Sequence, residues 1–307
     1  MTTVIIPWWR SWLSFFANLI RRCSLLIGVS VLIVALSVLD ARQGVRADSE
    51  PPPPLTTEVQ EKVDDLFRQA FKATNQGEYE AAEDYWSQAL EILPQNPAVW
   101  SNRGNAKVGL GDFTAAMADY GKAIELAPDQ PDPYLNRGTA HEGLQEWEAA
   151  IADYNHVLEL DPNDAGAYNN RGNAQAGSGN WQAAVADYLK AADLSPQFAF
   201  ARGNYALALY QVGERDEAIR TMRNLIRKYP QFADMRAALT AALWVKGQIG
   251  EAESNWVAAI GLDPRYKDTT WLTETRRWPP PLDCRYGKIS QLICSVNYSS
   301  NQQPSHF

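Results

Sequence analysis

The sequence predicts an all-α solenoid of antiparallel helix hairpins. Three observations carry that expectation: a fixed period of 34 residues, a small residue at two places in every period, and a proline at a third. From Val63 to Tyr266 the chain divides without insertion into six units, 63–96, 97–130, 131–164, 165–198, 199–232 and 233–266. A repeat array grows along one axis, so a chain of 307 residues needs no single oversized core.

Residues 1–47 stand apart from the repeats. Arg10, Arg21 and Arg22 precede an uncharged run from Ser24 to Leu39, and Val45 and Ala47 fall at the minus-three and minus-one places of an A-x-A-like cleavage site. The segment reads as a signal peptide. Its apolar run lies between the length of a signal core and that of a spanning helix, so an uncleaved membrane anchor is the alternative. In either case the arginines ahead of the run direct the repeats out of the cytoplasm, to a periplasm or thylakoid lumen, and an uncleaved segment leaves them membrane-associated. Residues 48–58 follow as a Pro-rich linker, in which Pro51, Pro52, Pro53 and Pro54 enforce extended geometry. Thr57 with Gln60 has the form of a capping box, which puts the start of the first helix near Glu58.

Within the units, each position has a mechanical reason. Position 20 is alanine in all six, from Ala82 to Ala252, and position 8 is Ala70, Gly104, Gly138, Gly172, Ala206 or Thr240. Small residues in each half are what two antiparallel helices need where their backbones approach most closely. Position 15 is glycine except at Gln145, which suits the left-handed end of a first helix. Position 32 is always proline, from Pro94 to Pro264, and ends the second helix. Large residues fill position 24 (Trp86, Tyr120, Tyr154, Tyr188, Met222, Trp256) and, in the earlier units, position 17 (Tyr79, Phe113, Trp147, Trp181).

These residues resemble the tetratricopeptide repeat, whose W-L-G-Y-A-F-A-P pattern occupies positions 4, 7, 8, 11, 20, 24, 27 and 32. The resemblance implies a right-handed superhelical solenoid with a concave surface lined by the first helix of each hairpin. Units five and six depart from the pattern: Arg202 and Arg236 stand where Trp100, Tyr134 and Tyr168 mark position 4, and Arg215 replaces the aromatic at 17. The array is expected to be softest at that end.

A second regularity marks units two to four only. Arg103, Arg137 and Arg171 occupy position 7, and Asp119, Asp153 and Asp187 occupy position 23. One lies on each helix, near the level of the 8–20 contact, which points to a partly buried, bidentate ion pair within a repeat or between neighbours. Such a pair fixes helix register more than it adds stability. Arginines that bind a ligand are the functional alternative.

No catalytic constellation is present. His141, His156 and His306 have no metal-ligand spacing with Cys, Asp or Glu, and no nucleophile elbow, phosphate loop or dinucleotide fingerprint occurs. No enzymatic activity, cofactor, metal or small-molecule substrate is expected. Removing residues 1–47 leaves 23 bases against 35 acids, so the body lacks a footprint for nucleic acid or anionic lipid and its partners should be neutral or basic proteins.

By the resemblance, positions 2, 5, 9, 12 and 13 face the groove. They give a small, polar centre at Ala98, Ser101, Asn105 and Val108, then Asp132, Leu135, Thr139 and Glu142, then Gly166, Asn169, Asn173 and Ala176. The ends are apolar, with Phe67 and Phe71 at one and Phe200, Leu207, Tyr210 and Trp244 at the other. Central amides able to bond a peptide backbone, flanked by apolar anchors, suit a bound peptide segment. For Phe71 and Trp244, packing against neighbouring helices is the competing role. The cationic residues of a chaperone-tail clamp are missing, since Ser101, Asn105, Asn136, Gly166 and Asn170 stand at its positions.

Beyond the repeats, residues 267–278 form a candidate capping helix with Trp271 and Leu272 buried, and the polar, unpatterned 279–307 predicts a largely disordered tail. Cys284 and Cys294 remain after the leader's Cys23; in an oxidising compartment they are a candidate disulfide, with two unpaired thiols as the alternative. The sequence thus predicts an exported interaction scaffold that holds peptide segments of other proteins and meets the membrane through its N-terminal segment. It looks like factors that assist assembly of membrane complexes, and a self-associating structural component of the envelope is the alternative.

Overall fold

A computed structural model describes residues 56–268. All regular structure among them is helical, and twelve α-helices follow one another in pairs. The pairs are α1 (Thr57–Gln76) with α2 (Tyr79–Ile92), α3 (Pro97–Gly109) with α4 (Phe113–Leu126), and α5 (Pro131–Gly143) with α6 (Trp147–Leu160). They continue as α7 (Ala165–Gly177) with α8 (Trp181–Leu194), α9 (Ala199–Gln211) with α10 (Arg215–Lys228), and α11 (Ala233–Val245) with α12 (Ile249–Leu262). A short 3-10 turn, Pro264–Lys267, follows the last. This is an all-α solenoid of helix hairpins, one hairpin per 34-residue unit. The signal or anchor segment 1–47, most of the linker, the capping helix beyond Asp268, the tail and the Cys284–Cys294 pair all lie outside the described residues.

The hairpins close for the steric reasons visible in the repeat. All six position-20 alanines are fully buried. A Cβ on Gly104, Gly138 or Gly172 would fall 2.7, 2.6 or 2.7 Å from the ring of Tyr120, Tyr154 or Tyr188, so the position-8 glycine makes room for the position-24 ring of its own unit. Successive units interlock by a contact that the repeat did not announce. The position-17 rings of Phe113 and Trp147 lie over Gly143 and Gly177, the last residue of the next unit's first helix, where a Cβ would meet them at 2.7 and 2.8 Å.

The turns repeat as well. Asp112 N–H donates to the Lys107 carbonyl at 2.9 Å across Gly111 (φ +79°), and Glu146 N–H donates to the His141 carbonyl at 2.9 Å across Gln145. Gln145 adopts φ 62° and so carries the left-handed conformation that glycine carries elsewhere. Several second helices and first helices are capped by side chains: Asp112 Oδ1 accepts from Ala115 N–H, and Asp164 Oδ1 from Ala167 N–H.

One expectation needs correction. α1 begins at Thr57, within one residue of the start expected near Glu58, and runs six residues ahead of the first unit. Units five and six are not impoverished: the largest apolar cluster in the described chain runs from Ala184 to Tyr266, with Leu209, Ile219, Met222, Leu239 and Leu243 at its centre. Arg236 does what Trp100 does at the same position. Trp100 Nε1 donates to the Pro94 carbonyl and Arg236 Nε to the Pro230 carbonyl, both at 2.9 Å, while Arg202 Nη2 donates to the Ala192 carbonyl. A long side chain with a donor at its end substitutes for the indole.

Candidate functional site

In units two to four the position-7 guanidinium meets the position-23 carboxylate within the same unit. Arg103 Nε and Nη2 donate to Asp119 Oδ2 and Oδ1 at 2.8 and 2.6 Å, and Arg137 makes the same pair with Asp153 at 2.9 and 2.6 Å. Arg171 bonds Asp187 at 2.7 Å through both nitrogens. The carboxylates are buried and the guanidinium faces stack on the position-4 rings of Trp100, Tyr134 and Tyr168, 4.8, 5.6 and 5.3 Å from the centroids. Hydrogen bonding to the aspartate holds each arginine above its ordinary pKa, against the opposing effect of burial. Arg171 Nη1 also reaches Asn155 of the preceding unit at 2.7 Å. With one edge held by carboxylate and one face by a ring, these arginines offer a ligand little beyond what the fold already uses. Position 11 adds a third member: Lys107 Nζ lies 2.8 Å from Asp119, and His141 Nε2 lies 3.8 Å from Asp153 while its Nδ1 meets Glu146 at 2.6 Å.

Beside these pairs the first helices carry a polar strip. Tyr120 O–H donates to Asn105 Oδ1 at 2.7 Å and Tyr188 O–H to Asn173 Oδ1 at 3.0 Å. Each tyrosine thereby engages the amide oxygen of position 9, whose N–H₂ makes no hydrogen bond among the described residues. In unit three Tyr154 O–H donates to Glu142 Oε1 at 2.5 Å and lies 3.3 Å from Thr139 Oγ1, placing a carboxylate in the middle of the strip. Burial, above all, pushes all three phenols up from their ordinary pKa. The hydroxyls therefore stay protonated and keep donating at neutral pH.

Other expected groove residues have different surroundings. Ser101 and Asn169 are largely buried, because position 5 packs against the next first helix: Asn136 Nδ2 donates to Ser101 Oγ at 3.5 Å and Asn204 Nδ2 to Asn169 Oδ1 at 3.0 Å. Asn204 also reaches Asn173 Oδ1 at 3.4 Å. This asparagine ladder at position 6 was not singled out by the repeat pattern, although four consecutive units carry asparagine there. Leu135 packs against the clusters of units three and four. Tyr210, 4% exposed, belongs to the last apolar cluster with Arg215 stacked 5.8 Å above its ring, so it is not an exposed groove anchor. Leu207 and Trp244 pack against the same cluster. Phe67 leans on Trp86 at 5.2 Å between centroids, and Phe71 meets the same indole edge-on at 5.0 Å while remaining half exposed. The strip that remains accessible is centred on Asn105, Thr139, Glu142 and Asn173.

Among the described residues no group of three His, Cys, Asp or Glu side chains is placed to hold a metal, and no helix is long and apolar enough to cross a membrane.

Comparison with known proteins agrees with this architecture. Family profiles described as TPR repeat match residues 104–145 and 143–179, and two described as tetratricopeptide repeat match 165–198 and 204–266. No curated protein sequence matches the chain. Among solved structures, TTC0263, a thermophilic TPR protein of Thermus thermophilus, is similar with 21% identity and a TM-score of 0.50, covering 59% of this chain and 99% of that one. The Cut9–Hcn1 hetero-tetramer of APC/C is similar with 18% identity and a TM-score of 0.56, over 68% of this chain and 43% of that one. MamA residues 41-end from Desulfovibrio magneticus RS-1 match at 19% identity and a TM-score of 0.50, over 54% and 94%. At these identities the likeness is one of fold.

Proposed function

The chain belongs to the tetratricopeptide repeat family, whose stacked hairpins present binding surfaces to other proteins, and from that premise we propose that it is a non-enzymatic scaffold gripping a peptide segment along its first helices. The observation that carries this reading is the amide pair Asn105 and Asn173, each with its oxygen held by a buried tyrosine hydroxyl and its N–H₂ left without a hydrogen bond among the described residues. A fixed N–H₂ donor loses little freedom when it meets the carbonyl of an extended chain. Thr139 and Glu142 between them add acceptors for backbone N–H groups or for a basic side chain. Arg10, Arg21 and Arg22 ahead of an uncharged run support action outside the cytoplasm, at a membrane surface, where such a scaffold assists the assembly of a membrane complex.

The test is site-specific crosslinking. A photoreactive residue at Asn173 is expected to capture a partner polypeptide, and one at the exposed Ala186, on the second helix of the same unit, is not. Equal recovery from the two sites would refute the groove as the binding surface.

A further inference from the structure

Unit five breaks the charge pattern of the array. Residues 199–232 hold six bases against three acids, whereas unit one holds two against seven and unit three one against eight; no other unit carries net positive charge. The inversion is concentrated on α10. Position 29 is Glu91, Glu125, Glu159 and Asp193 in the first four units and Arg227 in the fifth. Position 30 is Ile92, Leu126, Leu160, Leu194 and Leu262 elsewhere and Lys228 here. Position 22, otherwise Asp84, Ala118, Ala152, Ala186 or Ser254, becomes Arg220. Spacings of three and four put Arg220, Arg223 and Arg227 on one face of the helix.

That face is shaped. Arg220, Arg223, Asn224 and Arg227 line a depression of about 260 Å³. Asn224 is shared with a second hollow of about 240 Å³ that includes Arg202, Thr221 and Lys228. The second in turn shares Lys228 and Tyr229 with a third, of about 480 Å³, whose walls include Phe200, Tyr229 and Phe232. Phe200 is 60% exposed and meets Phe232 edge-on at 5.3 Å. The three hollows form one track with a guanidinium end and an aromatic end.

Its cations are incompletely used. Arg223 is committed to Glu251, but neither Arg220 nor Arg227 meets a carboxylate within ion-pair distance among the described residues; Arg227 donates only to Asn224. Lys228 Nζ reaches neutral acceptors, the Pro196 carbonyl and Gln197 Oε1. Arg202 lies 3.6 Å from Asp193, but Arg220 and Arg227 stand on one helix face with no carboxylate in ion-pair distance among the described residues, so an anion seated beside them is favoured. The surrounding array is acidic, which turns away a long polyphosphate chain while leaving room for a short acidic stretch.

We propose that the α10 face is a second docking surface, distinct from the amide strip, for an acidic peptide segment of another protein that places carboxylates between Arg220 and Arg227 and an aromatic side chain against Phe200 and Phe232. The carboxylates supply charge complementarity and the ring supplies apolar burial, so neither end suffices alone.

The probe is a fluorescein-labelled peptide of one phenylalanine followed by four glutamates, read by anisotropy on the full chain. Wild-type protein is expected to bind it and to lose it as salt rises, and the glutamine counterpart is expected not to bind. Arg220→Glu with Arg227→Glu is expected to weaken binding about tenfold or more, Phe200→Ala by a few fold, and Arg220→Lys with Arg227→Lys to retain most of it. Asn173→Ala is expected to leave binding unchanged. All charged variants lie on an exposed helix face, and their circular dichroism is checked against wild type. Absence of binding to wild type, or retention by the charge-reversed pair, overturns the proposal. So does a wild-type oligomer in sedimentation that the charge-reversed pair dissociates, because the occupant is then a second copy of the chain.

Discussion

Arg137 and Asp153 show how one pair of residues can matter more through loss of one partner than through its presence. The carboxylate is buried and the guanidinium about a quarter exposed, so attraction is offset by desolvation and the intact pair contributes little net stability. Removing the aspartate alone leaves a partly buried cation with its strongest acceptor gone. Asp153→Ala is expected to destabilise by about 2–3 kcal/mol, and Arg137→Ala with Asp153→Ala by less than the single change, in urea unfolding at neutral pH. A loss in the double variant equal to the sum of the two single losses would show that the two side chains act independently. The pairing is legible in the sequence because Arg and Asp recur and vanish together at fixed positions. What sequence spacing does not convey is the remainder of the cluster. The stacking of Arg137 over Tyr134 and the approach of His141 to Asp153 depend on side-chain directions across about two turns of helix.

At the scale of the hairpin, the turn after the first helix is the most local feature and the most readable. Glycine at five of six equivalent places marks a left-handed residue, and the sixth, Gln145, adopts the same conformation at φ 62° because the flanking hydrogen bonds are the same. A side chain there costs about 1–2 kcal/mol, of which glycine's greater freedom in the unfolded chain returns about 0.5–1 kcal/mol. Gln145→Gly is therefore expected to raise stability by about 0.5–1 kcal/mol, measured as an upward shift of the thermal midpoint. The reverse exchange, Gly179→Ala, meets no steric neighbour but inherits the strain of φ +84° and is expected to lower it by a similar amount. If both changes moved the midpoint in the same direction, backbone conformation would not be what selects glycine here. The strip of oriented amides is harder to read at this scale. Its positions follow from the repeat, but which of them stay accessible depends on how closely successive first helices pack, and that buries Ser101 and Asn169 while sparing Asn105 and Asn173.

For the whole array, local stability follows the buried apolar surface shared between neighbouring units, since a solenoid is held together by intrinsic and nearest-neighbour terms. Arginines at position 4 of units five and six suggest weakness there, yet the structure compensates twice. Arg236 keeps the hydrogen bond that Trp100 makes at the same position, and Arg202 bonds the Ala192 carbonyl; position 7 changes from the ion-paired arginine to Tyr205 and Leu239, which join one cluster running from Ala184 to Tyr266. Units two and three have smaller, separate clusters around Tyr120 and Tyr154. Ion pairs set register at modest net gain, whereas continuous apolar burial stabilises at about 25 cal/mol per Å². Amide hydrogen exchange is therefore expected to be slowest in α9 to α11 and faster in α3 to α5, the opposite of an order set by agreement with the repeat pattern. Salt should sharpen the contrast, because screening weakens the partly exposed pairs of units two to four and leaves apolar contacts intact. Slower exchange in α3 to α5 would mean that the polar clusters, not the apolar one, hold this array together.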